Sequence, residues 1–230
     1  MNISGFLMEL KPVKFQVALF LSAFDTSSKI KIVELVQHNS DGLINVDPFI
    51  VPSTKNTPDE IPIIIMQNQD SGWSFQISKE RIDFIFESKN ENELNFEDLF
   101  STFKNITIKQ WNSFSKEFFA KANRIGLIGT FVNIIDNPTT FLIQKYIKNE
   151  EIEGSFETQL HYLKKECIEN INVNIWTRII AVSKLQNIPP RLVNEIDVNT
   201  QPEFEFIITN DSINTFFQIS YNLFKEKMKI

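Results

Sequence analysis

Residues 123–147, NRIGLIGTFVNIIDNPTTFLIQKYI, decide how this chain is read. An arginine followed by two glycines suggests a loop that cradles phosphate. A strand handing over to a helix is the other reading. A dinucleotide fingerprint needs a third glycine at set spacing after a strand, and RIGLIG has none. Gly126 and Gly129 instead fall inside an alternating run. Ile125, Leu127, Gly129 and Phe131 share one face; Gly126, Ile128, Thr130 and Val132 share the other. Both faces are largely apolar, which predicts a central strand. The glycines then mark a bulge or the close approach of a helix. Asp136 or Asn137 caps the helix that follows, with Pro138 at its first position, where a missing N–H is tolerated.

Upstream, PVKFQVALFLS alternates, with Val13, Phe15, Val17, Leu19 and Leu21 on one face. A short helix comes next. Asp25, Thr26 and Ser27 are its cap candidates, and Ile30, Val33 and Val36 form its apolar stripe. The polar stretch 39–60, punctuated by prolines, reads as a long surface loop. EIPIIIMQN, SGWSFQIS and ERIDFIFES are three strands, the last two placing Trp73, Phe75, Ile77 and Ile82, Phe84, Phe86 inward. A long helix, NFEDLFSTFKNITIKQWNSFSKEFFAKA, starts at an Asn95 cap. Thr107 and Gln110 have capping-box spacing and predict a break near Asn105. The stripe Ile108, Trp111, Phe114, Phe118 is read as core.

Downstream the order repeats. GSFETQLHYLKKECI, VNIWTRIIAVSKL and RLVNEIDVNT are strands, with NIPP as a break before the last. TNDSINTFFQISYNLFKEKMKI is a closing helix capped by Asn210 or Asp211. Residues 1–122 and 123–230 thus each read strand, helix, three strands, long helix, and FLSAFDTSS aligns with FVNIIDNPT. Such a repeat fixes architecture before any motif does. It predicts an α+β fold in which two β-α-β-β-β-α halves share one mostly antiparallel sheet packed by helices, as one unit. The order of elements resembles the saddle of TATA-binding proteins and the duplicated modules of small-molecule sensor domains. That likeness is topological and transfers no function.

The formal net charge of −6 argues against a dedicated DNA coat, since phosphate binding draws on lysine and arginine. The 22 phenylalanines beside only 6 glycines are read as nucleotide bias of the coding sequence. One cysteine, Cys167, allows no intramolecular disulfide and fits a reducing compartment. MNISGFLMELKPVKF lacks the charge and apolar run of a secretory signal, and IPIIIM is too short to span a bilayer. The expectation is a cytoplasmic protein without membrane contact.

Reactive constellations are sparse. His38 and His161 fit no HExxH spacing, and with one cysteine a zinc site would need carboxylates. No GxSxG elbow occurs. A Cys167–His161 nucleophile pair is weighed against an incidental thiol and a surface histidine. Asp59 and Glu60, and Glu150 and Glu151, read as solvated charges. No catalytic residue, metal or cofactor is expected. The candidate binding residues are Arg124, Asn133, Trp176, Arg178 and Asp197. Trp176 and Arg178 share a face of NIWTRII, where an aromatic ring beside a guanidinium can stack a ligand or partner. Alternatively, Arg178 pairs with Glu195 or Asp197 across strands.

WNSFSKEFF on the long helix, NRIGLIGTFVNIID on the next strand, and NEIDVNT before a C-terminal helix form a set. It resembles a sporadically distributed family of uncharacterised bacterial proteins. Its members show an Arg-aromatic-aliphatic-Asn strand after a long helix and an Asp-containing strand before the last helix. On that resemblance Phe131, Val132 and Asn133 take the aromatic, aliphatic and Asn positions, and Asp197 the late aspartate. Thr130 stands where the arginine is expected. The resemblance implies a mobile-element or defence setting and no activity.

The expected function is a non-catalytic component that binds another protein, of an accessory, regulatory or immunity type. A homo-oligomer is left open. The alternatives are a nucleic-acid binder using the sheet as a saddle, which needs Lys and Arg to gather on the open face, and a small-molecule sensor with a pocket between the halves.

Overall fold

The computed structural model describes residues 8–52, 56–88, 95–147, 155, 157–183, 189–204 and 206–229. The segment 1–7, the Glu150–Glu151 pair, Phe156 and the first half of NIPP lie outside the described residues. The first half of the chain runs β1 (Lys11–Ala23), α1 (Lys29–Asn39), β2 (Phe49–Ile50), β3 (Ile64–Asn68), β4 (Trp73–Ile77), β5 (Arg81–Glu87) and α2 (Phe96–Glu117). The second runs β6 (Lys121–Ile134), α3 (Pro138–Leu142) with a π-helical turn to Ile147, β7 (Glu157–Ile168), β8 (Ile171–Val182), β9 (Arg191–Thr200) and α4 (Asn210–Lys227).

The strands form one nine-stranded sheet in the order β2-β3-β4-β5-β1-β6-β9-β8-β7. All its pairings are antiparallel. Moving outward from the β1–β6 seam, β5 matches β9, β4 matches β8 and β3 matches β7. The protein is therefore α+β, and its sheet carries the expected duplication. The 39–60 loop contributes the two-residue β2 at one edge. The opening stretch is indeed a central strand, flanked by β1 and β9.

One face of the sheet is the core. Phe15 sits at its centre, with its ring 5.6–6.1 Å from those of Phe96, Phe100 and Phe103 on α2, Phe131 on β6 and Phe224 on α4. The register puts Gly129 opposite Phe15. A Cβ there would come within 2.8 Å of Phe224 and 2.9 Å of Phe131, so this glycine admits the close approach of α4. The halves meet through aromatic contacts between α2 and α4, including Phe96–Tyr221 at 5.3 Å and Phe100–Phe217 at 6.0 Å.

Several local expectations are corrected. α2 runs unbroken for 22 residues. Thr107 and Gln110 are buried, and Gln110 Nε2 donates to the Val36 carbonyl at 2.9 Å, tying α2 to α1 instead of restarting the helix. Asn95 caps α2 as its sequence predicts, accepting from the N–H groups of Glu97 and Asp98. α1 begins after Ser28 without a side-chain cap, and Asp25 instead accepts from Ser27 in a turn. Its buried stripe is Ile32, Val33 and Val36, with Ile30 pointing outward. α4 is capped by Thr209, whose hydroxyl and Ser212 form a reciprocal capping box.

Candidate functional site

Side chains alternate across a sheet, so the face opposite Phe15 is defined by parity. It carries Lys14, Gln16 and Phe20 on β1 and Arg124 and Ile128 on β6. Outward from β6 it carries Glu195, Asp197 and Asn199 on β9, Trp176 and Arg178 on β8, and His161 and Leu163 on β7. The helices contact the other face: α2 and α4 through Phe15, Phe75 and Phe131, and α3 through Ser183.

Four of the five sequence-nominated residues lie on this open face. Arg124 stacks over Phe20, its guanidinium carbon 4.5 Å from the ring centroid. Its Nη2 donates to Asn199 Oδ1 at 3.3 Å, an oxygen that also accepts from Asn174 at 3.3 Å. Asn199 Nδ2 in turn donates to Asp197 Oδ1 at 3.1 Å. A polar chain thus crosses from β6 over β9 to β8. Asp197 is opposite Trp176 in register. Asn133, the fifth candidate, lies toward the far end of β6 and donates to the Glu9 carbonyl at 3.1 Å, away from this group.

Trp176, Arg178, His161, Glu195 and Asp197 line a shallow recess of about 250 Å³. The His161 and Trp176 rings lie 4.9 Å apart, tilted by 40°. Arg178 stands opposite Glu195 in register. Its recorded hydrogen bonds nevertheless go to Gln159, from Nε at 3.2 Å and Nη2 at 3.0 Å. The carboxylates of Glu195 and Asp197 make no ion pair among the described residues. Burial raises the Asp197 carboxyl above its ordinary range, helped by the Glu195 charge; the Asn199 hydrogen bond and the Arg124 charge oppose it. Trp176 keeps 37% of its surface exposed, and Leu163, directly across from it, 38%.

Sequence reasoning did not place Phe20, Asn174 or Asn199 in this group. A signal was available, because NEIDVNT puts Glu195, Asp197 and Asn199 at alternate positions and hence on one face. Which strands flank that face requires the pairing order. The Cys167–His161 pair is ruled out by distance: both are on β7, six positions apart, or about 20 Å along an extended strand. Among the described residues, no group of three or more His, Cys, Asp or Glu side chains could hold a metal ion. No described helix is long and apolar enough to cross a membrane.

No protein-family model matches the chain, and no curated protein matches it by sequence. Among solved structures, a rolling circle replication initiator protein from Geobacillus stearothermophilus is similar over 94% of this chain and 84% of its own. The identity is 11% and the TM-score 0.36. A likeness at that level carries no argument about function.

Proposed function

We propose that this protein is a non-catalytic binding component that engages another protein through the open face of its sheet. The observation that carries this reading is the exposed Trp176–Leu163 pair beside Arg178. Tryptophan and arginine dominate the energetics of protein interfaces, where an aromatic anchor is ringed by polar groups. Trp176 has that setting: Leu163 and His161 on β7 to one side, Glu195 and Asp197 on β9 to the other, and Arg178 two positions along its own strand. Charges on the face also favour a protein over a nucleic acid. Lys14, Arg81, Arg124, Lys165 and Arg178 are interleaved with Asp83, Glu87, Glu195 and Asp197, so among the described residues no basic stripe forms to track a phosphate backbone. Between the halves, packed rings fill most of the α2–α4 contact, and a recess of about 260 Å³ lies at one end of it, lined by Asn95, Glu97, Lys225 and Lys229.

The test is a tagged purification from the native host, repeated with Trp176→Ala. A stoichiometric protein partner retained by the wild type should bind the variant about thirtyfold more weakly or worse, while the variant still unfolds in one cooperative transition. A partner held equally by both would end the reading. Recovery of nucleic acid in its place, released as salt rises, would transfer the face to the saddle alternative.

A further inference from the structure

A second surface, between α1 and the end of α2, carries an anomaly that the fold does not use. Phe119 follows the C-cap of α2 with φ of 53°. This is the left-handed position after a helix, where glycine is favoured and a bulky side chain is strained. The chain needs the conformation: it turns from α2 into β6, and the Ala120 N–H reaches back to the Phe114 carbonyl at 3.4 Å. It does not need the ring. Phe119 is 80% exposed, whereas its neighbour Phe118 packs on Phe24 and Phe114. Backbone strain and an unburied aromatic ring therefore coincide at one residue.

Phe119 rims a cleft of about 800 Å³ between α1 and the C-terminal end of α2. Leu35 and Phe118 give the cleft an apolar wall. Asp25, Glu34 and Glu117 give it negative charge, and Lys31 alone among the lining residues is a lysine or arginine. None of those three carboxylates pairs with a lysine or arginine among the described residues. Ser27 donates to Asp25 from both its N–H and its hydroxyl, which holds that carboxyl below the usual range. The C-terminal carbonyls of α2 add partial negative charge at the same end.

The geometry points to this cleft as a second docking site, for a basic amphipathic segment of a partner protein. Apolar side chains of that segment pack on Phe119 and Leu35, and its lysines or arginines face Glu34, Glu117 and Asp25. Charge complementarity selects this occupant. A second copy of this acidic chain would bring the same carboxylates against themselves. The site is independent of the open-face reading and stands if that reading fails.

The test uses the full chain and a fluorescein-labelled helical peptide of about fourteen residues, leucine on one face and lysine on the other. A matched peptide with glutamate for lysine is the control. Fluorescence anisotropy should show binding of the lysine peptide only. Phe119→Gly should weaken it about tenfold or more while the melting temperature holds or rises. Glu34→Lys with Glu117→Lys should weaken it similarly, and Trp176→Ala should leave it unchanged. The proposal is overturned if the lysine peptide does not bind the wild type, or if the glutamate peptide binds as well. It is equally overturned if Phe119→Gly binds like the wild type or melts markedly lower, or if Trp176→Ala weakens binding as Phe119→Gly does.

Discussion

At the scale of single residues, Asp197 shows what the open face asks of a side chain. Its carboxyl titrates above its ordinary value chiefly because of burial. A carboxylate whose pKa is higher folded than unfolded destabilises the fold above its folded pKa. That penalty is relieved as pH falls through the folded value and is gone below the unfolded one. Asp197→Asn keeps an oxygen that can accept from Asn199 and removes the charge. It should raise the urea midpoint at neutral pH, with the advantage shrinking as pH falls through the carboxylate range. A midpoint lowered at neutral pH would show that Arg124 and Asn199 more than offset the burial. None of this is legible in sequence, because the burial of Asp197 comes from strands far away along the chain. Helix caps were only partly legible for a related reason. Asn95 was identified, but at α4 the choice among Thr209, Asn210 and Asp211 turns on the backbone angle at the first residue.

At the scale of elements, α2 separates a local signal from a tertiary one. Its Asn95 cap is local and forms as its sequence dictates; of the stripe Ile108, Trp111, Phe114 and Phe118, Trp111 and Phe114 are buried while Ile108 and Phe118 are partly so, and the buried face extends through Phe96, Phe100, Phe103 and Ile106. Asn95→Ala removes the acceptor of two N–H groups and should cost about 1 kcal/mol, read as a lower denaturation midpoint with the fold unchanged. No change in midpoint would mean that solvent satisfies those groups equally well. The break expected at Thr107 and Gln110 does not occur, since capping-box spacing also suits two helical positions facing a neighbouring helix. The buried bond from Gln110 to the Val36 carbonyl decides between them, and only the packing of α1 on α2 supplies it. The alternation of NEIDVNT, by contrast, is intrinsic to the strand. It could have placed Asn199 beside Asp197 before any partner strand was known.

At the scale of the whole molecule, Phe15 joins the halves. It touches rings from α2, β6 and α4 at once. Phe15→Ala should destabilise the protein by about 3–5 kcal/mol, a large share of the roughly 5–15 kcal/mol that holds such a domain together. Because the ring belongs to both halves, loss of tertiary and secondary signals should remain a single coincident transition, moved to lower denaturant. Two separated transitions would show that the halves fold independently.

The sequence by itself determined the elements and their order, except for the two-residue β2 in the stretch read as a loop. Alternation, helical periodicity and the repeat are local patterns that the backbone reads one segment at a time. It also marked Gly126 and Gly129 together, and only the packing of Phe224 shows that a helix approaches closely at Gly129 and not at Gly126. The tertiary structure alone decided that β1 and β6 form the seam, which face stays open, and that Arg124 lies over Phe20 while Arg178 turns to Gln159. Those outcomes depend on strand neighbours and register. A one-residue slip in register would carry every side chain of a strand to the opposite face.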